Sequence, residues 1–104
     1  MSKLLLDTNI LIYSKDKNSQ FHFKSQTLLS SSFDFCITSK NLSEYYAVTT
    51  KRIIPLLTSE QALADLEEFS AYFTILYPNE LSLSILKKLI KKHHPKGLSY
   101  MILK

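Results

Sequence analysis

Short apolar runs alternate with polar punctuation from the start of the chain. Lys3 is followed by Leu4-Leu5-Leu6, the run breaks at Asp7-Thr8-Asn9, and it restarts as Ile10-Leu11-Ile12-Tyr13. An apolar run of that length followed by cap-forming residues predicts a buried parallel strand leading into a helix, with Thr8 or Asn9 as the cap. Asp7 then stands at the carboxyl end of the first strand, the edge at which open α/β sheets hold their ligands. Asp16-Lys17-Asn18-Ser19 is a polar turn, and residues from about Gln20 to Ser30 form a second helix that fades into three serines.

Phe33 to Thr38 alternates and is rich in strand formers, which predicts a second strand. Leu42, Tyr45, Tyr46, Thr49 and Ile53 then recur at helical spacing from Ser39 onward, and Pro55 closes that helix. Thr58-Ser59-Glu60-Gln61 has the form of a capping box, with Thr58 as cap. Leu63, Leu66 and Phe69 give the helix behind it an apolar face. Thr74 to Tyr77 predicts a third short strand. Leu81, Ile85, Leu86, Leu89 and Ile90 mark an amphipathic helix ending near Pro95-Lys96-Gly97. Strands alternating with helices imply a parallel sheet covered on both faces, in one domain spanning residues 1–104.

Composition narrows the class. Hydrophobic residues make up 45% of the 104 positions, enough for a folded core and too many for a disordered chain. No apolar run approaches the roughly 20 residues that span a bilayer, so no membrane segment is expected and the expected location is cytoplasmic. The single cysteine, Cys36, lies between Phe35 and Ile37 and is expected to be a small buried hydrophobe. The net charge of +4 permits contact with a polyanion. Its distribution is uneven: Lys87 to Lys96 holds five Lys and two His, and no Asp or Glu follows Glu80. The basic run is expected to form a solvated helical face that complements a helix carboxyl end, with RNA phosphate as its other candidate partner.

Two acidic residues stand out by their surroundings. Asp7 ends an apolar strand, and Glu44 lies within the otherwise uncharged turn Asn41-Leu42-Ser43-Glu44-Tyr45-Tyr46. A carboxylate at a strand end and another on a core-facing helix can meet in space, and their repulsion is relieved by a cation between them. Oxygen ligands without Cys or His suit Mg²⁺ or Mn²⁺. Such an ion activates water and stabilises charge on a phosphodiester under attack. The bland alternatives are a carboxylate that only caps the first helix and a solvated helical glutamate. Tyr45 and Tyr46 are expected in the core and on its rim.

The segment Leu4 to Tyr13, with Asp7-Thr8-Asn9 at its centre, resembles the opening of a PIN domain. Thr38-Ser39 with Leu42-Ser43-Glu44-Tyr45-Tyr46-Ala47-Val48 is similar to the segment bearing that family's second acidic residue. The resemblance covers roughly residues 3 to 97. It implies a three-layer α/β/α PIN-like fold with a short parallel sheet. It also implies that Asp7 and Glu44 are catalytic, metal-holding carboxylates, supported by Thr8 and Asn9. The implied activity is Mg²⁺- or Mn²⁺-dependent RNA cleavage of the kind used by bacterial toxins, with a small antitoxin protein as partner.

The chain departs from that pattern after Gly97, where Leu98 to Lys104 replace the later acidic positions of the family. The expectation is therefore a C-terminally truncated domain lacking the C-terminal strands, with an incomplete acidic site and weak or absent activity in isolation. The first strand is expected to expose an edge, either paired by the apolar tail from Leu98 to Leu103 or used to form a homodimer. Two other functions compete: a catalytically degenerate PIN-like protein acting through protein binding or surviving as a relic, and a receiver-like signalling domain. The last lacks its usual adjacent acidic pair after the first strand.

Overall fold

The computed structural model describes residues 3–51, 54–77, 90–93 and 100–103, the last two stretches as backbone strands. In chain order the elements are β1 (Lys3–Leu6), α1 (Thr8–Lys15), α2 (His22–Leu29), β2 (Asp34–Thr38), α3 (Ser39–Thr50), α4 (Ser59–Tyr72), β3 (Thr74–Leu76), β4 (Ile90–His93) and β5 (Tyr100–Leu103). They build one sheet in the order β3-β2-β1-β5-β4. β1, β2 and β3 run parallel, whereas β5 is antiparallel to β1 and β4 antiparallel to β5. The class is α/β with a short parallel sheet, as the alternation of patterns predicts.

Strand alternation sends Leu4 and Leu6 to one face, beside Phe35 and Ile37 of the neighbouring strand. There they meet Ile10, Leu11 and Ile12 of α1, Tyr45 of α3 and Phe69 of α4 in a single core. Both crossovers, β1 to β2 and β2 to β3, step the same way across the sheet. Right-handed connections therefore place their helices on one face. Leu28 and Leu29 of α2, Leu42 of α3 and Leu66 of α4 pack against the same core from partly buried positions. Each fully buried Leu or Ile contributes about 1.5–3 kcal/mol by leaving water. The Tyr45 and Phe69 rings meet edge to face at 5.0 Å, locking α3 to α4.

Leu5 and Cys36 point to the opposite face and are also buried. The amphipathic helix expected from Leu81 lies, as far as Leu89, outside the described residues. Its expected end does not hold: Ile90–His93 is a strand. A strand there satisfies its backbone through β5, with Lys91 opposite Ile102 and Lys92 opposite Met101. Lys91, Lys92 and His93 thus belong to a strand at one edge of the described sheet rather than to a helix.

The edge of β1 is closed by the chain's own tail. Leu4 pairs with Ile102, Leu5 with Met101 and Leu6 with Tyr100. An apolar strand with one side unpaired would bury backbone N–H and C=O groups without partners, and the tail supplies them. Two smaller departures concern the helices. Leu63 is 52% exposed, because Ala62 and Phe69 carry the buried face of α4. The cap of α1 is Asp7, with Thr8 already the first helical residue. Thr58 and Gln61 form the capping box read from the sequence. Among the described residues no helix is long and apolar enough to cross a membrane.

Candidate metal centre at the end of the first strand

Asp7 leaves β1 with an extended backbone, φ −82° and ψ 154°, and its carboxylate accepts the Asn9 N–H at 3.5 Å. That contact is long for a hydrogen bond, so the capping interaction is weak. Thr8, 4% exposed, points inward, away from the capping position the sequence suggested. Its hydroxyl donates to Glu44 Oε2 at 3.3 Å, also long for a hydrogen bond, and joins the first turn of α1 to the second turn of α3.

The start of α3 explains why Thr8 is available. Thr38 caps the helix, its Oγ1 accepting the Asn41 N–H at 3.1 Å while the Asn41 side-chain oxygen accepts the Thr38 N–H at 2.8 Å. The other end of the Asn41 amide donates to Thr8 Oγ1 at 2.9 Å. Glu44 is flanked on its second oxygen by Lys40 one turn earlier, with Nζ 3.8 Å from Oε1. Its side chain is 46% exposed and Lys40 is more so, so this pair adds little stability. The corner is an uninterrupted polar chain from Thr38 through Asn41 and Thr8 to Glu44.

Of the residues the sequence singled out, Thr8 and Glu44 are brought into direct contact. Asp7 lies beside them at the strand end and is half-buried. Asn9 is exposed and takes part through its backbone N–H. Glu44 sits on the solvent side of α3, not among the apolar residues the helix turns to the core. Asn41 joins the corner although nothing in the sequence marks it as a site residue; its three-residue spacing from Thr38 is that of a capping pair. The oxygen-only donors fit the preference of Mg²⁺ or Mn²⁺ for hard ligands, with Asp7 and Glu44 as the charged members. Among the described residues no group of three or more His, Cys, Asp or Glu gathers as a metal site.

A second polar cluster lies between α1, α3 and α4. The phenol of Tyr45, a residue with no exposed surface, donates to Asp65 Oδ2 at 2.6 Å. Lys15 Nζ pairs with Glu68 Oε2 at 2.5 Å and stands 3.9 Å from Asp65 Oδ1. Burial, followed by the Asp65 hydrogen bond, holds the Tyr45 phenol well above its ordinary pKa. Burial, followed by the charge of Asp34, likewise pushes the Cys36 thiol up, so this free cysteine is an inert core residue. Tyr46 sits on the rim, its hydroxyl 2.6 Å from Ser59 Oγ. A cleft of about 240 Å³ opens beside this cluster, lined by Ile12, Lys15, Lys17, Tyr45, Thr49 and Leu57 among others. It does not include Asp7, Thr8 or Glu44.

No protein-family model matches the chain, and no curated protein matches it.

Proposed function

We propose that the corner of Asp7, Thr8 and Glu44 is the front of a divalent-cation site, and that the chain is a PIN-like, toxin-type endoribonuclease of weak activity on its own. The observation that carries this reading is the Thr8–Glu44 hydrogen bond at 3.3 Å. It draws the end of β1 and the middle of α3 together, where the resemblance to PIN domains expects the first two acidic residues to meet. Asn9 and Glu44 are exposed at this corner, where a polymer such as RNA can reach it.

Asp7 and Glu44 would hold Mg²⁺ or Mn²⁺, which when bound supplies a water nucleophile and neutralises phosphate charge. The chain's own residues prepare the corner. Thr8 directs one Glu44 oxygen toward the strand end, and Lys40 offsets the charge on the other. Two carboxylates offset less of a divalent ion's lost hydration than a larger set does, so binding is weak. The same reading gives the chain a small antitoxin protein as its partner.

A second reading, a degenerate PIN-like protein that binds a protein partner without cutting RNA, is favoured by one observation: among the described residues no group of three or more His, Cys, Asp or Glu forms around Asp7 and Glu44. The two readings part in a cleavage assay with the full chain on single-stranded RNA. Mn²⁺-dependent cleavage abolished by Asp7→Asn supports the nuclease, and no cleavage at millimolar Mn²⁺ supports the degenerate protein.

A further inference from the structure

The polar chain at the corner has a direction, and one residue sets it. The Thr38 backbone N–H can only donate, so the Asn41 atom 2.8 Å away must be the amide oxygen. Thr38 Oγ1, which accepts the Asn41 backbone N–H at 3.1 Å, has its own proton free to donate to the same oxygen at 3.0 Å. The Asn41 NH₂ is thereby turned toward Thr8 and donates to its Oγ1 at 2.9 Å. A hydroxyl that receives a donor on its oxygen has one proton left to give. The carboxylate of Glu44, an acceptor only when ionised, lies 3.3 Å away.

We propose that Asn41 is a positioning residue for the acidic corner: through its fixed amide it commits the Thr8 hydroxyl proton to Glu44 and so holds the Glu44 carboxylate against the end of β1. The inference deepens the proposed function, and its consequence for metal binding rests on that reading. The hydrogen-bond relay itself does not. Lys40 is the rival for the same task, since it also contacts Glu44, but its side chain is 81% exposed and the contact is 3.8 Å long. Thr8, almost fully buried and fixed by Asn41, is the stiffer anchor.

The test is NMR on the full chain without metal, following the Glu44 Hα–Hβ couplings and the nuclear Overhauser contact between the Glu44 γ protons and the Thr8 methyl. Asn41→Asp keeps an oxygen for the Thr38 N–H but replaces the donor facing Thr8 with an acceptor. Thr8→Val removes the hydroxyl that donates to Glu44, the next step of the relay, with nearly unchanged shape and no added charge. Both variants are expected to lose the contact and average the couplings, whereas Lys40→Gln is expected to retain them. The proposal is overturned if Glu44 stays ordered in either of the first two variants, or if Lys40→Gln releases it equally. Because no metal is present, failure here is distinct from a failure to bind Mn²⁺, which would count against the nuclease reading alone.

Discussion

The Tyr45 phenol donates to the Asp65 carboxylate across the α3–α4 contact at 2.6 Å, and Lys15 of α1 stands 3.9 Å from the other oxygen of the same carboxylate. Three helices thus converge on one side chain next to the core. A hydrogen bond to a charged group contributes about 1.5–3 kcal/mol. Tyr45→Phe keeps the ring that packs on Phe69 and removes only the donor, so urea unfolding is expected to show a loss in that range. An unchanged midpoint would show that the ring alone holds α3 to α4.

The same residue makes the fold sensitive to alkali. Folding raises the Tyr45 pKa, chiefly through burial, so the folded chain keeps the phenolic proton at pH values where the unfolded chain loses it. The unfolded state then binds fewer protons, and stability falls with rising pH. The contribution is intact below the ordinary phenol range near pH 10 and is lost progressively above it. Thermal unfolding followed from pH 8 to 11 is expected to show this loss. Part of it should disappear in Tyr45→Phe.

Ser25 on α2 is fully buried, and its Oγ has no hydrogen-bond partner among the described residues. An unsatisfied buried hydroxyl costs about 1–3 kcal/mol, and Ala is also the better helix former. Ser25→Ala is expected to stabilise the chain by about 1 kcal/mol, raising Tm by about 4–8 °C for a domain of this size. A lower Tm would show that the hydroxyl has a partner after all.

β5 closes one side of β1 through the Leu5–Met101 and Leu4–Ile102 pairs. Deleting residues 98–104 is expected to expose that edge and to convert the protein into dimers or larger species, read by light scattering with size-exclusion chromatography. A deletion variant with an unchanged molecular mass and Tm would mean that β1 does not depend on the tail.

Much of this fold is legible in the sequence because its signals are local. Leu4-Leu5-Leu6 before Asp7, and the Thr58 to Gln61 box, identify their elements from spacing alone, and Cys36 between two apolar neighbours is buried as expected. The sequence leaves pairing of the tail with β1 as one of two alternatives, and its register is a long-range choice that no local pattern encodes. Ile90–His93 departs from its local pattern: Leu86, Leu89 and Ile90 fit a helical period, whereas pairing with β5 makes Ile90–His93 a strand. At the corner, Asp7 and Glu44 stand out by their neighbours. The Asn41–Thr8 bond does not, because it joins side chains from two elements whose approach depends on the packed core.

Under the proposed function, Asp7 and Glu44 would act together on one divalent ion. The direct measurement is Mn²⁺-induced line broadening of backbone amides in the wild-type chain, Asp7→Asn and Glu44→Gln. Saturable broadening centred on Asp7, Thr8 and Glu44, weakened about tenfold or more in affinity by either substitution, is the predicted result. Broadening that is absent, or that is unchanged when both carboxylates are neutralised, would contradict it.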